Sequence, residues 1–139
     1  SSDLSKKVLI NRFKSHGNAV LIGSMSFWAG IDVRGSSLSL VIIDKLPFQS
    51  PGDPVFESKI NRLKDLGQNP FMTFQLPQAI ISLKQGAGRL IRDEVDKGVL
   101  MICDPRIIDK PYGKRIWKSL PAFKRTRQEI DVMNFLKSL

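Results

Sequence analysis

Residues 38–44 read Leu-Ser-Leu-Val-Ile-Ile-Asp, an almost continuously apolar run. Two similar runs are Ala-Val-Leu-Ile at 19–22 and Val-Leu-Met-Ile-Cys-Asp at 99–104. Strands that are buried on both faces have this composition, and such strands occur mainly in parallel sheets. Stretches with helical character separate the runs, so the sequence predicts an α/β fold built from β-α-β units with right-handed crossovers.

Helices are predicted on either side of these strands. The first ends at Gly17, where glycine can adopt a positive φ and stop a helix. The predicted helical ranges are 4–16, 54–66, 77–92, 112–120 and 127–139. Free-standing sheets of this class typically have about five or six strands. We therefore expect either strands that the pattern does not reveal or a sheet whose first part lies outside this sequence.

The composition suits one globular domain that is not stabilised by disulfides. The chain has 139 residues, of which 42% are hydrophobic, and it has one cysteine and one histidine, Cys103 and His16. These counts exclude a disulfide framework, a Cys/His zinc site and an iron–sulfur cluster within these residues, so no metal site is expected. Cys103 is predicted to be a small core residue in a reducing cytoplasm. No apolar stretch approaches the length of a membrane span.

The charge balance is strongly basic. Twenty-two Lys and Arg against thirteen Asp and Glu give a net charge of +9. Such an excess indicates either a polyanionic partner, such as nucleic acid, or a solvated basic surface, and charge alone does not decide between them. The sequence opens on Ser-Ser-Asp rather than Met, so we expect it to be a segment of a longer protein.

The predicted helix at 77–92 carries the most specific pattern, Gln-Gly-Ala-Gly-Arg-Leu-Ile-Arg at 85–92. At about 100° per residue, Gln85, Gly88, Arg89 and Arg92 share one face, and apolar side chains share the opposite one. Guanidinium groups match phosphate oxygens, and two of them one helical turn apart can hold a polyphosphate. The alternative is a solvated basic face that pairs with nearby acidic residues.

Residues 23–35 follow the predicted strand at 19–22, at the end of a strand where α/β sheets bind ligands. Gly30 permits a close backbone approach, and Asp32 offers a carboxylate to a ribose hydroxyl or a water. The aromatic pair Phe27-Trp28 is either a core anchor or a platform for bases. No Gly-x-x-x-x-Gly-Lys-Ser/Thr loop is present in the chain, so the usual phosphate-cradling loop and its lysine are missing.

These motifs resemble a known family. The pattern Gln-x-x-Gly-Arg-x-x-Arg at 85–92 is similar to the sixth motif of superfamily 2 helicases, and residues 23–35 resemble the fifth motif. Two further stretches indicate which branch of this superfamily the chain resembles. They are residues 38–48, which end in Val-Ile-Ile-Asp-Lys-Leu-Pro-Phe, and Asp-Pro-Arg at 104–106. They are similar to the XPD/DinG-like branch, and most of all to the bacterial YoaA-type helicases.

The resemblance implies that residues 1–139 form one RecA-like domain, a parallel sheet flanked by helices. By the same resemblance, this domain is expected to be the C-terminal motor lobe of an ATP-dependent DNA helicase of the cytoplasm that acts in DNA repair or replication. The full-length enzyme uses ATP and Mg²⁺, and its iron–sulfur cluster is expected only in the N-terminal part. The segment by itself is expected to bind none of these cofactors and to be inactive.

The resemblance also implies roles for individual residues. Arg89 and Arg92 are the arginine fingers on the γ-phosphate. The expected nucleotide-binding residues are Gln85, Gly88, Gly30 and Asp32, and the expected DNA-binding residues are Ser26, Trp28 and Arg34. One position departs from the family, which usually has an acidic residue where this chain has Ala29. The side chain at position 29 therefore supplies no carboxylate.

The tail at 121–139 lies beyond the motor motifs. It is either a surface helix that closes the domain or a docking segment for a partner. The docking candidates are Phe123, Arg125, Thr126 and Arg127. The resemblance points to the chi subunit of DNA polymerase III as this partner. Two other functions remain open, a stand-alone basic module that binds single-stranded DNA or a replisome protein and a small nucleotide-binding α/β enzyme.

Overall fold

The computed structural model describes residues 5–27, 38–50, 52–91 and 96–139. The two strands are β1 (Leu40–Ile43) and β2 (Val99–Ile102). The helices are α1 (Lys6–His16), α2 (Pro54–Asp65), α3 (Leu76–Leu90), α4 (Arg106–Asp109), α5 (Gly113–Lys118) and α6 (Glu129–Lys137). A 3₁₀ turn covers Met25–Phe27, and a π-helical segment, Phe71–Gln75, leads directly into α3.

The predicted helices form close to their expected bounds, and their termini follow from local chemistry. Helix α1 ends before Gly17, which has a φ of 66°. Helix α2 begins with Pro54, and the Asp53 side chain accepts hydrogen bonds from the backbone N–H groups of Val55 and Phe56, at 2.9 and 3.2 Å. A capping carboxylate followed by proline at the first position is a strong helix start.

The two described strands are parallel, as predicted from their composition. Leu40 is paired with Val99, and the register continues to Ile43 and Ile102. Helix α3 packs against both strands. The core contains Ile43, Leu46, Leu76, Leu83 and Ile116. The apolar face predicted for α3 is confirmed, because Leu83, Ala87 and Leu90 are all buried.

Two predictions about the sheet are wrong for the described residues. Residues 19–22 form no strand, and Val20 and Ile22 are 88% and 91% exposed. An apolar run forms a stable strand only where a sheet edge accepts its backbone groups, and this run is paired with neither β1 nor β2. The sheet is also not buried on both faces, since the cross-strand partners Ile42 and Met101 are 58% and 48% exposed.

Cys103 is exposed, which corrects its interpretation as a core residue. It lies immediately after β2, two residues beyond Met101. Side chains two residues apart in a strand point to the same face. Cys103 therefore continues the open face of the sheet, opposite the side on which α3 packs.

A buried carboxylate joins the chain beyond β1 to the chain beyond β2. Asp104 is 4% exposed and accepts a hydrogen bond from the backbone N–H of Leu46 at 2.8 Å. Its oxygens also accept from the Arg106 guanidinium, with Nη2 at 2.6 Å and Nε at 2.9 and 3.0 Å. These Arg106 hydrogen bonds hold the pKa of Asp104 well below its usual range, against the opposing effect of burial. The ion pair in turn raises the pKa of Arg106.

Asp104→Asn is expected to lower the free energy of unfolding by about 2 kcal/mol at pH 7, because it removes charge-assisted hydrogen bonds. The folded-state pKa lies below the unfolded value of about 3.9, so the contribution is fully present above that value. It is lost as the pH falls through the folded pKa. Urea denaturation between pH 2.5 and 7 measures the difference, which should shrink at the acid end. Asp65→Asn at an exposed site is the control, and an equal effect of both substitutions would contradict the assignment.

Candidate functional site

The C-terminal half of α3 separates its side chains as the sequence predicts. Gly86, Ala87 and Leu90 are buried, whereas Gln85 is exposed. Gly88 and Arg89 are partly buried, and Arg89 takes part in an interaction within the chain. Arg92 lies outside the described residues. Gln85 thus lies on the side of the helix away from the sheet, whereas Arg89 is only partly accessible.

Gly88 is not required by packing against the part of the chain that the structure describes. A Cβ built at this position meets no atom of these residues within 4 Å. Glycine in a helix interior is about 1 kcal/mol less favourable than alanine. The open space beside Gly88 therefore agrees with the expectation that something outside this chain approaches the helix closely here.

The end of α3 lies at the amino-terminal edge of the sheet. A Cβ built on Gly98 would lie 2.4 Å from Cδ1 of Leu90 and 3.0 Å from the carbonyl oxygen of Ser39. That same oxygen accepts a hydrogen bond from the Val99 N–H at 2.8 Å. Leu90, Gly98 and Ser39 therefore meet at this edge of the sheet.

Most of the candidates at 23–35 lie outside the described residues. Ser26 lies in the 3₁₀ turn, whereas Trp28, Ala29, Gly30, Asp32 and Arg34 lie outside the described residues. Phe27 is partly buried. Its ring fills the space beside Gly23, where a Cβ would lie 2.7 Å from Cδ2, and the Lys6 ammonium lies 5.1 Å from the ring centroid. Phe27 therefore packs locally beside Gly23 and Lys6, which agrees with the anchor role for this ring.

The tail is attached to α5 through Arg125. The Arg125 guanidinium carbon lies 4.3 Å from the Trp117 ring centroid, and Nη2 donates to the Trp117 carbonyl oxygen at 3.2 Å. Thr126 Oγ1 accepts from the Gln128 N–H at 3.0 Å and is 2.5 Å from an Asp131 carboxylate oxygen. Two of the docking candidates thus have contacts within the chain, which the sequence pattern did not indicate. Phe123 is partly buried and Arg127 is exposed.

Helix α6 buries none of its residues. Ile130, Met133 and Phe135 are 63%, 44% and 39% exposed. These three apolar side chains are therefore accessible to solvent. Val132 and Leu136 are only partly buried.

A cluster of aromatic rings was not anticipated from the sequence. Phe48, Phe71 and Tyr112 pack together with centroid distances between 4.9 and 5.9 Å. The Arg106 guanidinium carbon lies 5.2 Å from the Phe48 ring centroid. These residues are far apart in sequence, after β1, before α3 and before α5, and the tertiary fold brings the rings together.

Within the described residues, no group of three or more His, Cys, Asp or Glu side chains could hold a metal ion. The same part of the chain has no helix that is long and apolar enough to cross a membrane.

Comparison with known proteins identifies the family. Residues 1–123 match the helicase C-terminal domain family. The ATP-dependent DNA helicase YoaA of Escherichia coli is 52% identical over 134 residues, which cover 96% of this chain and 21% of that protein. The ATP-dependent helicase DinG of Mycobacterium tuberculosis is 38% identical over 137 residues, 99% of this chain and 21% of the relative.

A third relative has a different named activity. The 3'-5' exonuclease DinG of Bacillus subtilis is 41% identical over 114 residues, which cover 82% of this chain and 12% of that protein. This chain spans about a fifth or less of the length of these relatives. The resemblance inferred from the motifs is confirmed, and the chain belongs to the helicase C-terminal domain family, in the branch that contains the YoaA and DinG proteins.

Proposed function

We propose that this chain is the C-terminal motor lobe of an ATP-dependent DNA helicase. In this role Arg89 and Arg92 act as arginine fingers on the nucleotide, and the lobe forms part of the track for single-stranded DNA. The observation that supports the proposal is the end of α3, where Gln85 is exposed and Gly88 and Arg89 are partly exposed, opposite the buried Ala87 and Leu90 by helical period. The family membership and the names of the YoaA and DinG relatives support it.

The nucleotide would approach the amino-terminal edge of the sheet. Gln85 and Gly88 would contact it from α3, and Gly30 and Asp32 would contact it from the segment that returns to this edge at Ser39. The bound Mg²⁺ would neutralise phosphate charge. A guanidinium stabilises the charge that develops on the γ-phosphate, which is why arginine fingers have large effects on phosphoryl transfer. A RecA-like sheet with further strands would agree with the parallel β1–β2 pair.

Ser26, Trp28 and Arg34 would contribute to the DNA track. A hydroxyl group can donate to a phosphate, an indole ring can stack on a base, and a guanidinium can pair with the backbone. The net charge of +9 favours binding to a polyanion. The track would be completed by the rest of the full-length protein.

The 139-residue chain alone is expected to hydrolyse no ATP above background, because it has no phosphate-cradling loop. A coupled ATPase assay with and without single-stranded DNA measures this, with the full-length protein as the positive control. DNA-stimulated turnover by the chain alone would contradict the assignment as one lobe of a two-lobed motor. An inactive full-length protein that still binds DNA would favour the stand-alone binding module.

The tail is proposed to dock a partner, the chi subunit of DNA polymerase III. The accessible apolar side chains of α6 and the exposed Arg127 support a docking role. Interface arginines and aromatic residues frequently contribute about 2 kcal/mol or more each to binding. Arg125 would act in part by fixing the tail on Trp117.

A Phe123→Ala, Arg125→Ala, Arg127→Ala variant of the full-length protein is expected to lose chi binding in a pull-down. The triple change leaves the motor motifs intact, so DNA-stimulated ATPase activity should be retained. Lys118→Ala, at an exposed position on α5, is the matched control. Normal chi binding by the triple variant would place the docking site elsewhere, and unfolding would show that the tail is structural.

A further inference from the structure

The carboxyl-terminal edge of the sheet carries a second arrangement of side chains, away from the Arg89 end of α3. Phe48 follows β1, Tyr112 follows β2 and α4, and Phe71 lies just before α3. Helix α3 has 15 residues and is roughly 22 Å long. Its start at this edge is therefore too far from its arginine end for one nucleotide to reach both.

An open cleft lies beside the rings. Its lining includes Phe71, Tyr112 and Arg115, together with Asn69, Met72 and Pro111, and its volume is about 530 Å³. The Phe71 and Tyr112 ring centroids are 4.9 Å apart at an interplanar angle of 57°. Both residues are only partly buried, and Met72 is 39% exposed. Aromatic and thioether surface is therefore accessible at a ligand-binding edge of an α/β sheet.

The two arginines near this cleft differ in their availability. The Arg106 guanidinium is paired with Asp104 and lies against Phe48. Arg115 is exposed, and within the described residues no carboxylate lies within 4.0 Å of its guanidinium. An available cation beside accessible aromatic surface has the chemistry of a nucleotide site on single-stranded nucleic acid, where a base stacks and a phosphate pairs.

We propose that the Phe71–Tyr112 cleft binds one nucleotide of single-stranded DNA, with the base against the rings and the adjacent phosphate on Arg115. This subsite rests on the proposed DNA track and extends it to residues outside the helicase motifs. It lies at the opposite edge of the sheet from Arg89 and is separate from the ATP site. Because the rings contact a nucleobase, binding at this cleft requires strands that have bases. Binding to a surface that offers only positive charge would depend on the phosphates alone.

The test compares binding of two fluorescent 12-mers by the 139-residue chain, oligo-dT and an abasic strand with the same phosphates. Phe71→Leu keeps an apolar side chain but removes the ring. It should weaken oligo-dT binding by about fivefold or more and leave abasic binding unchanged. Phe74→Leu is the matched control, since Phe74 lies on the same π-helical segment but packs against Phe56, with Lys59 above its ring.

Arg115→Gln tests the phosphate contact at an exposed site where folding is not at risk. The substitution should weaken the binding of both oligonucleotides. It should also reduce the slope of log K for binding against log salt concentration by about 0.7. Lys114→Gln, which removes the same charge from the neighbouring exposed residue, should have a smaller effect. An oligonucleotide with 5-iodouracil should crosslink on irradiation to peptides that contain Phe71 or Tyr112, and this measurement needs no variant.

The outcomes separate the subsite from the wider proposal. Binding of oligo-dT that Phe71→Leu does not change, with crosslinks elsewhere, would overturn the subsite and leave the DNA track intact. Equal affinity of the intact chain for the abasic strand would do the same. No binding of either strand would overturn both.

Discussion

Arg92→Ala in the full-length protein is expected to lower kcat for DNA-stimulated ATP hydrolysis by about 10³-fold or more. The guanidinium would act on charge that develops in the transition state, so its loss affects the chemical step more than ground-state binding. Affinity for single-stranded DNA should stay nearly unchanged. Steady-state ATPase assays at saturating DNA, together with fluorescence anisotropy for DNA binding, measure the two quantities separately. Arg89→Ala should have an effect of the same order.

Lys84→Ala provides the control for this prediction. Lys84 is exposed on α3, immediately before Gln85, and its substitution removes one positive charge from the same helix. It should leave kcat within about twofold, because it is not among the residues expected to contact the nucleotide and exposed surface charges contribute little. An Arg92→Ala variant with normal kcat and weakened DNA affinity would show that this end of α3 contacts DNA rather than nucleotide.

The part of the site that could be predicted from sequence is the part that depends on one helix. The residue period of α3 determines which side chains face the sheet, so burial of Leu83, Ala87 and Leu90 and exposure of Gln85 follow from spacing alone. The start of α2 was predictable for the same reason, because Asp53 caps the helix and Pro54 begins it through local contacts alone.

Other features depend on what covers a segment, and sequence composition does not contain that information. Residues 19–22 are as apolar as β1, yet Val20 and Ile22 are exposed because no described strand pairs with them. The same applies to Ile42 and Met101, whose apolar character indicates burial on a face that the described helices leave open. An apolar run therefore predicts a preference for burial. Whether the run is buried depends on whether another strand or helix packs against it.

Contacts between distant residues were also missed. Arg125 was a docking candidate because it is basic and close to Phe123, but its guanidinium lies over Trp117 of α5. The cluster of Phe48, Phe71 and Tyr112 likewise brings together rings from three separate segments. Neither the Arg125–Trp117 contact nor the aromatic cluster produces a periodic pattern in the sequence. Both are visible only in the tertiary structure.

Packing of α4 against α5 leads to the largest expected change in stability. A Cβ built on Gly113 would lie 2.0 Å from the carbonyl oxygen of Ile107 and 2.5 Å from its carbonyl carbon. The Gly113 N–H also donates to the Lys110 carbonyl oxygen at 2.9 Å, which holds the turn between the two helices closed. The clash involves backbone atoms and cannot be relieved by a rotamer change. Ile116, one helical turn further along α5, is 1% exposed in the core, so a shift of α5 would disturb the core.

Gly113→Ala is therefore expected to lower the free energy of unfolding by about 3 kcal/mol, at the upper end of the usual range for overpacking. Urea denaturation followed by circular dichroism measures the change as a fall in the midpoint concentration. Gly88→Ala is the matched control, because the same methyl group enters open space in a helix interior and should raise stability by up to about 1 kcal/mol. A loss below about 1 kcal/mol for Gly113→Ala would mean that the α4–α5 turn opens without displacing Ile116. The same glycine-to-alanine change is thus expected to lower the free energy of unfolding at Gly113 and to raise it at Gly88. This difference in sign separates the effect of packing from that of helix propensity.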